Sequence, residues 1–431
     1  MAINLRFKAL SYTGFEKICR LANLKVQLTV MRALLIILFS LAVLCVKAQR
    51  ITLSTRVQDK VTFEPLPFAS VGIKGKSIST VTNLQGEFDF HIPPEYRNEI
   101  LVISMLGYEN FEAPIWSLLD SKPETIDMNK STTVLQEVVV SDSLMGGEIV
   151  KIALARVESN FPMEPFLMDG FYRDVKKVAG TSISLLEAAV KIYDENYIEP
   201  RNKEKLRERV KLVEVRKSLG YDNKFAPYFH QQNLLEDLLL HNNIRYRQID
   251  GDEDFFENLK REEDSHYNGH EIFVVSHTDD FSFKIFIDKA TYAITHLEYE
   301  VSGDNRERKK NLVSKHVTYR KTLDFRPFDG KMFLNYITVV TKEKWYDDVT
   351  SEFKFETELE QHLLINQVDP KTQERISSTD KMRNYGLQFQ DYPYNKVFWD
   401  DYNVIKDTPI DKKILADLEQ IAPLEKQFEN N

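Results

Sequence analysis

The chain has 431 residues, and its 66 Asp and Glu outnumber 57 Lys and Arg to give a formal net charge of −9. That balance lacks the basic footprint that nucleic-acid binding needs, and it disfavours tight adsorption to an anionic membrane surface. The length is enough for two or three ordinary hydrophobic cores.

The first 48 residues read as processing sequence. Ala33–Val46 (ALLIILFSLAVLCV) is apolar apart from Ser40, with Arg32 before it and Lys47 after it. As a helix it would span about 21 Å, short of the roughly 30 Å hydrocarbon core. A short apolar run behind a basic flank, followed by Val46-Lys47-Ala48, predicts a secretory signal peptide cut before Gln49. Met31 offers an alternative start (MRALLIILF), and a retained membrane anchor is the competing reading. A lipid anchor on Cys45 is disfavoured by the bulky Leu44 before it. Both cysteines, Cys19 and Cys45, fall in this leader, so the remainder can form no disulfide, thiolate nucleophile or Cys-ligated metal site. The leader holds seven Lys/Arg and one Glu, which leaves the remainder more acidic than the whole, at about −15. The expectation is an exported protein, periplasmic or outer-membrane-associated, with no transmembrane span after cleavage.

Residues 64–108 (EPLPFASVGIKGKSISTVTNLQGEFDFHIPPEYRNEILVISMLGY) read as short strands punctuated by turns. Phe68, Val71 and Ile73 precede a break at Gly75, and Asn83-Leu84-Gln85-Gly86 has turn chemistry, with Gly86 able to take φ > 0. Phe88, Phe90 and Ile92 alternate with Glu87, Asp89 and His91, the period of a half-buried strand, until Pro93-Pro94 stops it. Ile100–Ser104 is a further β-branched run. Strands and turns at this spacing predict a small β-sandwich.

Three residue groups also carry a resemblance: Pro65-Leu66…Ala69-Ser70-Val71, Thr82-Asn83…Gly86-Glu87-Phe88, and Ser104…Leu106-Gly107-Tyr108. Together they resemble the carboxypeptidase regulatory-like domain, over roughly residues 50–128, with Asn83 where that family usually has Asp. The resemblance implies a seven-stranded transthyretin-like sandwich over residues 49–128, of the kind found in Gram-negative envelope proteins. The module accompanies catalytic domains without being one. A linker over 129–142 follows. Its Val134–Val140 (VLQEVVV) resembles the junction after such sandwiches in TonB-dependent outer-membrane receptors. The roughly 290 residues beyond it are too few for a 22-stranded barrel, so the resemblance implies shared construction only.

Residues 143–405 predict a larger antiparallel domain. Ser143 is a candidate N-cap for a helix carrying Ile149, Ile152, Ala153 and Val157, and Gln231–Leu240 is a second helical stretch. Phe166–Lys176 and Thr181–Tyr193 read as strands, and the charged Lys203–Arg216 suits either state. From His266 the chain reads as a meander. Asn268-Gly269 makes a hairpin into Ile272–Ser276, Phe281–Asp288, Tyr292–Val301 and Val313–Lys321 follow, and Asp329-Gly330 makes a hairpin into Met332–Thr341. Glu352–Glu360 puts Phe353, Phe355, Thr357 and Leu359 on one face and charge on the other, which predicts a sheet wet on one side and covered by the helices on the other. A curved sheet over a helix resembles the half-barrel of periplasmic lipoprotein carriers. Residues 406–431 read as a polar, helical tail. The fold class expected is mainly β (α+β).

Searching for chemistry returns few candidates. None of the nine histidines has Glu three residues later, as a zinc carboxypeptidase would need. His266 and His270 straddle the Asn268-Gly269 turn, and His277 and His296 sit in strand-like runs. Asp250-Gly-Asp252-Glu-Asp254 imitates a calcium loop but has Phe255 where the glycine belongs and Arg261 at the last ligand, so with Glu262, Glu263 and Asp264 it reads as a solvated acidic loop. The remaining candidate is an aromatic patch: Tyr392, Tyr394, Phe398, Trp399 and Tyr402, interleaved with Asp400, Asp401 and Asn395. Rings beside carboxylates suit sugar binding; the alternative, which is favoured here, is a lid closing the sheet. The expected function is a non-enzymatic envelope protein, a sandwich plus a binding domain for an envelope protein or glycan, with no catalytic residue, cofactor or metal. The alternatives are a glycan- or lipid-binding protein using the patch or the half-barrel, and a hydrolase with a scattered site. A histidine within hydrogen-bond reach of a carboxylate in a pocket would speak for the last.

Overall fold

Alternation along β1 (Ile51–Asp59) turns Leu53, Thr55, Val57 and Asp59 inward, and it starts a seven-stranded sandwich with β2 (Ser70–Ile73), β3 (Ser79–Val81), β4 (Glu87–Ile92), β5 (Ile100–Ser104), β6 (Phe111–Pro114) and β7 (Thr125–Met128). The computed structural model describes residues 51–131 and 144–429, apart from 223, 230–232, 250, 305–306, 384–385 and 407–408. The expected leader with its cysteines, the VLQEVVV junction and the proposed Ser143 cap therefore lie outside the described residues. The sandwich pairs a β4–β1–β7 sheet with a β3–β2–β5–β6 sheet, and Val57, Val71, Phe88, Phe90, Ile92, Leu101 and Ile103 fill the space between them.

The turn before β4 shows why its residues are what they are. The Asn83 side-chain oxygen accepts hydrogen bonds from the Gln85 and Glu87 amides, both at 2.9 Å. Gly86 takes φ +72°, and a Cβ there would lie 2.2 Å from the Val57 carbonyl oxygen. The Asn83 amide also donates to the Lys406 carbonyl at 3.2 Å. An aspartate has no such donor, so the departure from the usual family residue has a use in this chain.

The second sheet has twelve strands: β8 (Phe166–Val178), β9 (Thr181–Asp194), β10 (Arg209–Lys217), β11 (Lys260–Arg261), β12 (Ser265–Tyr267), β13 (His270–His277), β14 (Ser282–Asp288), β15 (Ile294–Gly303), β16 (Arg308–Lys309), β17 (Leu312–Phe328), β18 (Lys331–Asp347) and β19 (Phe353–Asp369). All pairings are antiparallel, in the order β10-β9-β8-β19-β18-β17-β15-β14-β13-β11. The charged stretch around 209–217 is thus strand. Asn268-Gly269 and Asp329-Gly330 turn hairpins with positive φ at both residues, as their dipeptides require. Strands β17, β18 and β19 each run 17 residues, well beyond the stretches that alternation marks. The reason is register: shifts at Lys315/Val317, Asp324/Phe325, Trp345/Tyr346 and Ile365/Gln367 reset the alternation while the ladder continues.

One face of this sheet is covered by helices, as expected. Ile149, Val150 and Ala153 of α1 (Gly146–Ala155) and Leu234, Leu235, Leu238 and Leu239 of α2 (Leu234–Leu240) share a core with Tyr172, Leu186, Leu297, Leu323, Ile337 and Leu363. Gly146 and Gly147 let the start of α1 press against the Leu259 and Phe256 carbonyls, where Cβ atoms would sit at 2.6 and 2.2 Å. The opposite face is wet only in part. Toward the β18–β19 turn it carries a charged ladder, with Lys177 and Lys342 bonded to Glu358. Further along, Phe171, Ala189, Tyr336 and Leu364 are buried under Val81 of the sandwich and under Trp399 and Ile405. The C-terminal helices are not a merely polar tail, because Ile414, Leu418, Leu424 and Phe428 pack on Val175 and Leu185.

The sandwich is bonded to this second face. Ser79 Oγ donates to the Ile365 carbonyl at 3.2 Å, the Arg326 guanidinium donates to the Ser77 carbonyl, and Phe68 stacks on Tyr336 at 5.3 Å. The Asn403 side chain accepts from the His91 amide at 2.8 Å and donates back to its carbonyl. Residues 51–431 form one compact unit. No helix of the described residues is long and apolar enough to cross a membrane.

Candidate functional site

The aromatic patch is split by its surroundings. Asn395 caps α3 (Lys396–Asp401), its side-chain oxygen accepting from the Phe398 amide at 3.1 Å, and this turns Trp399 onto the sheet. Trp399 is 4% exposed, edge-on to Phe171, with the Arg216 guanidinium 4.3 Å from its ring centroid. Arg216 is itself held by Glu187, which also binds Arg173; burial opposes the Glu187 charge, but the two guanidiniums win and hold its carboxyl below the usual range. Tyr402 donates to the Gly170 carbonyl at 2.9 Å, Phe398 stacks on Tyr402, and Tyr394 lies beside Phe428. Of the five rings, Tyr392 has its surface open at 37%.

The histidines and acids are engaged as well. His270 Nδ1 lies 2.6 Å from Asp288, next to a cavity of about 220 Å³. Asp288 also accepts from the amide and hydroxyl of Thr291, both at 2.8 Å, which ties it into the β14–β15 turn. His296 sits between Asp324 and Glu298; burial works against its charge, but those bonds outweigh it and push its pKa up to about 9. His277 stacks on Phe281. In the acidic loop, Asp252 caps a short helix (Glu253–Glu257) through the Phe255 amide, and Glu262 and Asp264 pair with Lys284 and Lys289. Among the described residues no three His, Asp or Glu side chains cluster closely enough to hold a metal ion.

A different site emerges on the helix-covered face. An open pocket of about 600 Å³ lies over β14, β15 and β17, under the C-terminal end of α2 and the Glu253–Glu257 helix. Phe255, Phe281, Phe283 and Leu297 form apolar walls. Its floor is Tyr299 of β15 and, two residues apart on β17, Tyr319 and Lys321, with Tyr299 directly opposite Lys321 in the ladder. Lys321 is 8% exposed, and among the described residues no carboxylate or other hydrogen-bond acceptor meets its ammonium. The ammonium lies over the faces of Tyr299 and Tyr319, whose ring centroids are 5.3 and 5.9 Å from Nζ. Burial alone pushes the Lys321 pKa down to about 8. His241, which caps the end of α2 above Tyr319, is pushed down to about 4 by burial and then by Lys321, so it is neutral at pH 7. The Tyr319 hydroxyl is buried without a partner, and burial raises its pKa.

Sequence reasoning passed over this site because a lysine in a strand reads as a wet-face residue. The signal lay in parity: Lys321 shares its face with Tyr319 and Leu323, while Arg320 and Thr322 take the other. A buried cation with no carboxylate on it among the described residues, and an orphaned hydroxyl beside it in a pocket, is an arrangement that stability does not explain.

The two sheets, their seven strands and the Asn83–Gly86 turn match the sandwich. Residues 53–140 match the CarboxypepD_reg-like domain family. In the same region the chain is similar to the TonB-dependent receptor SusC of Bacteroides thetaiotaomicron, 32% identical over 93 residues, or 22% of this chain and 8% of that protein. The chain thus spans less than a tenth of that curated relative. Among solved structures it overlays on lipovitellin (10% identity, 55% of this chain and 28% of that one, TM-score 0.23) and on MucB in complex with MucA (11% identity, 53% and 99%, TM-score 0.18). At these scores neither overlay bears on the function of this chain.

Proposed function

We propose that this chain is an exported, envelope-associated, non-enzymatic binding protein. In this reading the carboxypeptidase regulatory-like sandwich is the fixed accessory module, and the twelve-stranded sheet receives a small apolar ligand in the pocket over Lys321. The observation that carries the reading is the pocket itself, whose volume of about 600 Å³ falls within the range of about 300–1,000 Å³ usual for small-molecule sites. The family match and the SusC similarity support the envelope setting. The hydrolase alternative is less well supported: His270 does meet Asp288 beside a cavity, but among the described residues no hydroxyl bonds to His270 to make a nucleophile–base pair.

The test is to produce the full chain in a Gram-negative host, fractionate the cells and extract the purified protein with organic solvent for mass spectrometry. The expected result is protein in the envelope fraction, beginning at Gln49, with a co-purified apolar small molecule. Protein retained in the cytosol with residues 1–48 intact, and nothing extracted, would overturn it.

A further inference from the structure

Resting on that reading, we infer that the pocket selects a single-chain amphiphile with one carboxylate, the carboxylate seated on Lys321 and Tyr319 and the chain lying against Phe255, Phe281, Phe283 and Leu297. Charge counting carries the head group. Among the described residues Lys321 is the one lysine or arginine in the lining, it is buried, and none of them neutralises it. A buried charge without a partner is costly, so the occupant that gains most is one that brings a single negative charge. His241 adds no second cation at neutral pH, being held uncharged by burial and by Lys321 itself. A phosphate monoester would therefore enter with charge left unmatched. A carboxylate has a second oxygen, and the Tyr319 hydroxyl, on the same face of β17 and without a partner, is the donor to meet it. The apolar body follows from one side of the lining, where Phe255, Phe281, Phe283 and Leu297 stand together, while His241, Asn243 and Gln248 line the rest. Asp252, the one acid among the described lining residues, accepts from the Phe255 amide at 2.9 Å as the cap of its helix and makes no ion pair with Lys321.

The experiment is titration calorimetry of the full chain with three probes of equal chain length: palmitate, hexadecanol, and a palmitoyl lysophosphatidic acid. Palmitate is expected to bind one per chain and at least about tenfold more tightly than hexadecanol, the gain of one charge-assisted hydrogen-bond pair. Lys321→Met should abolish that difference, with melting no lower than the parent. Tyr319→Phe should narrow the difference several-fold. Equal affinities for palmitate and hexadecanol in the unaltered protein would overturn the carboxylate assignment while leaving the apolar site standing. Tighter binding of the lysophosphatidic acid would overturn it in favour of a phosphate head group. Binding of none of the three would remove both this inference and the binding function on which it rests.

Discussion

Replacing Trp399 by alanine separates the two uses open to the aromatic patch. Truncating a buried Trp costs about 3–5 kcal/mol in a core that does not collapse. The ring is 4% exposed, meets Phe171 and Tyr402 edge-on and lies under the Arg216 guanidinium, so the full loss of packing applies and the cation–π contact adds to it. One effect opposes: the Trp399 indole N–H is buried without a partner, and removing it returns about 1 kcal/mol. The net expectation is a destabilisation of about 3 kcal/mol. Urea unfolding followed by circular dichroism reads this directly, as a lower midpoint at unchanged slope. A pull-down on envelope glycans run in parallel should show no retention that depends on Trp399. A loss of stability below about 1 kcal/mol together with lost glycan retention would refute the lid and restore the sugar platform.

Two further perturbations address the sandwich and the pocket. Gly86→Ala forces a side chain to φ +72° and within 2.2 Å of the Val57 carbonyl, so it should cost about 3 kcal/mol or more; an unchanged thermal transition would refute the close approach of Gly86 to Val57. Lys321→Met should stabilise the protein. The folded state holds the Lys321 pKa near 8 against an ordinary 10.5, so it binds that proton less tightly than the unfolded chain does. The penalty, about 3 kcal/mol, is present in full below pH 8 and fades as pH rises toward 10.5. Among the described residues, the groups facing this ammonium are His241, Tyr299 and Tyr319, none of them anionic at neutral pH. A variant less stable than its parent at pH 7, or an advantage that grows with pH, would contradict this.

The sandwich was legible because its information is local. The Phe88–Phe90–Ile92 alternation, the proline stop and the Asn83–Gly86 turn each act over a few residues, and each appears in place. The same holds for the hairpins at Asn268-Gly269 and Asp329-Gly330, where positive φ at both positions restricts the residue choice. The helices covering the large sheet were also readable, from the spacing of Ile149, Ala153 and the leucines of 234–239. What alternation could not reveal were the full lengths of β17, β18 and β19, since a bulge flips the apparent face without ending the strand.

Tertiary structure alone decided the rest. Phe171, Ala189, Tyr336 and Leu364 lie on the face that local pattern leaves to water, and they are dry because the sandwich and the 394–405 segment come from far along the chain to cover them. Likewise, whether a strand lysine is solvated or stranded depends on what stands above it. The sequence determined that Lys321 shares a face with Tyr319 and Leu323; only the packing of α2 and the Glu253–Glu257 helix over β15 and β17 took that face out of water without, among the described residues, bringing a carboxylate onto the ammonium. Periodicity reports which side of a strand a residue occupies, and desolvation is a property of everything else that packs there.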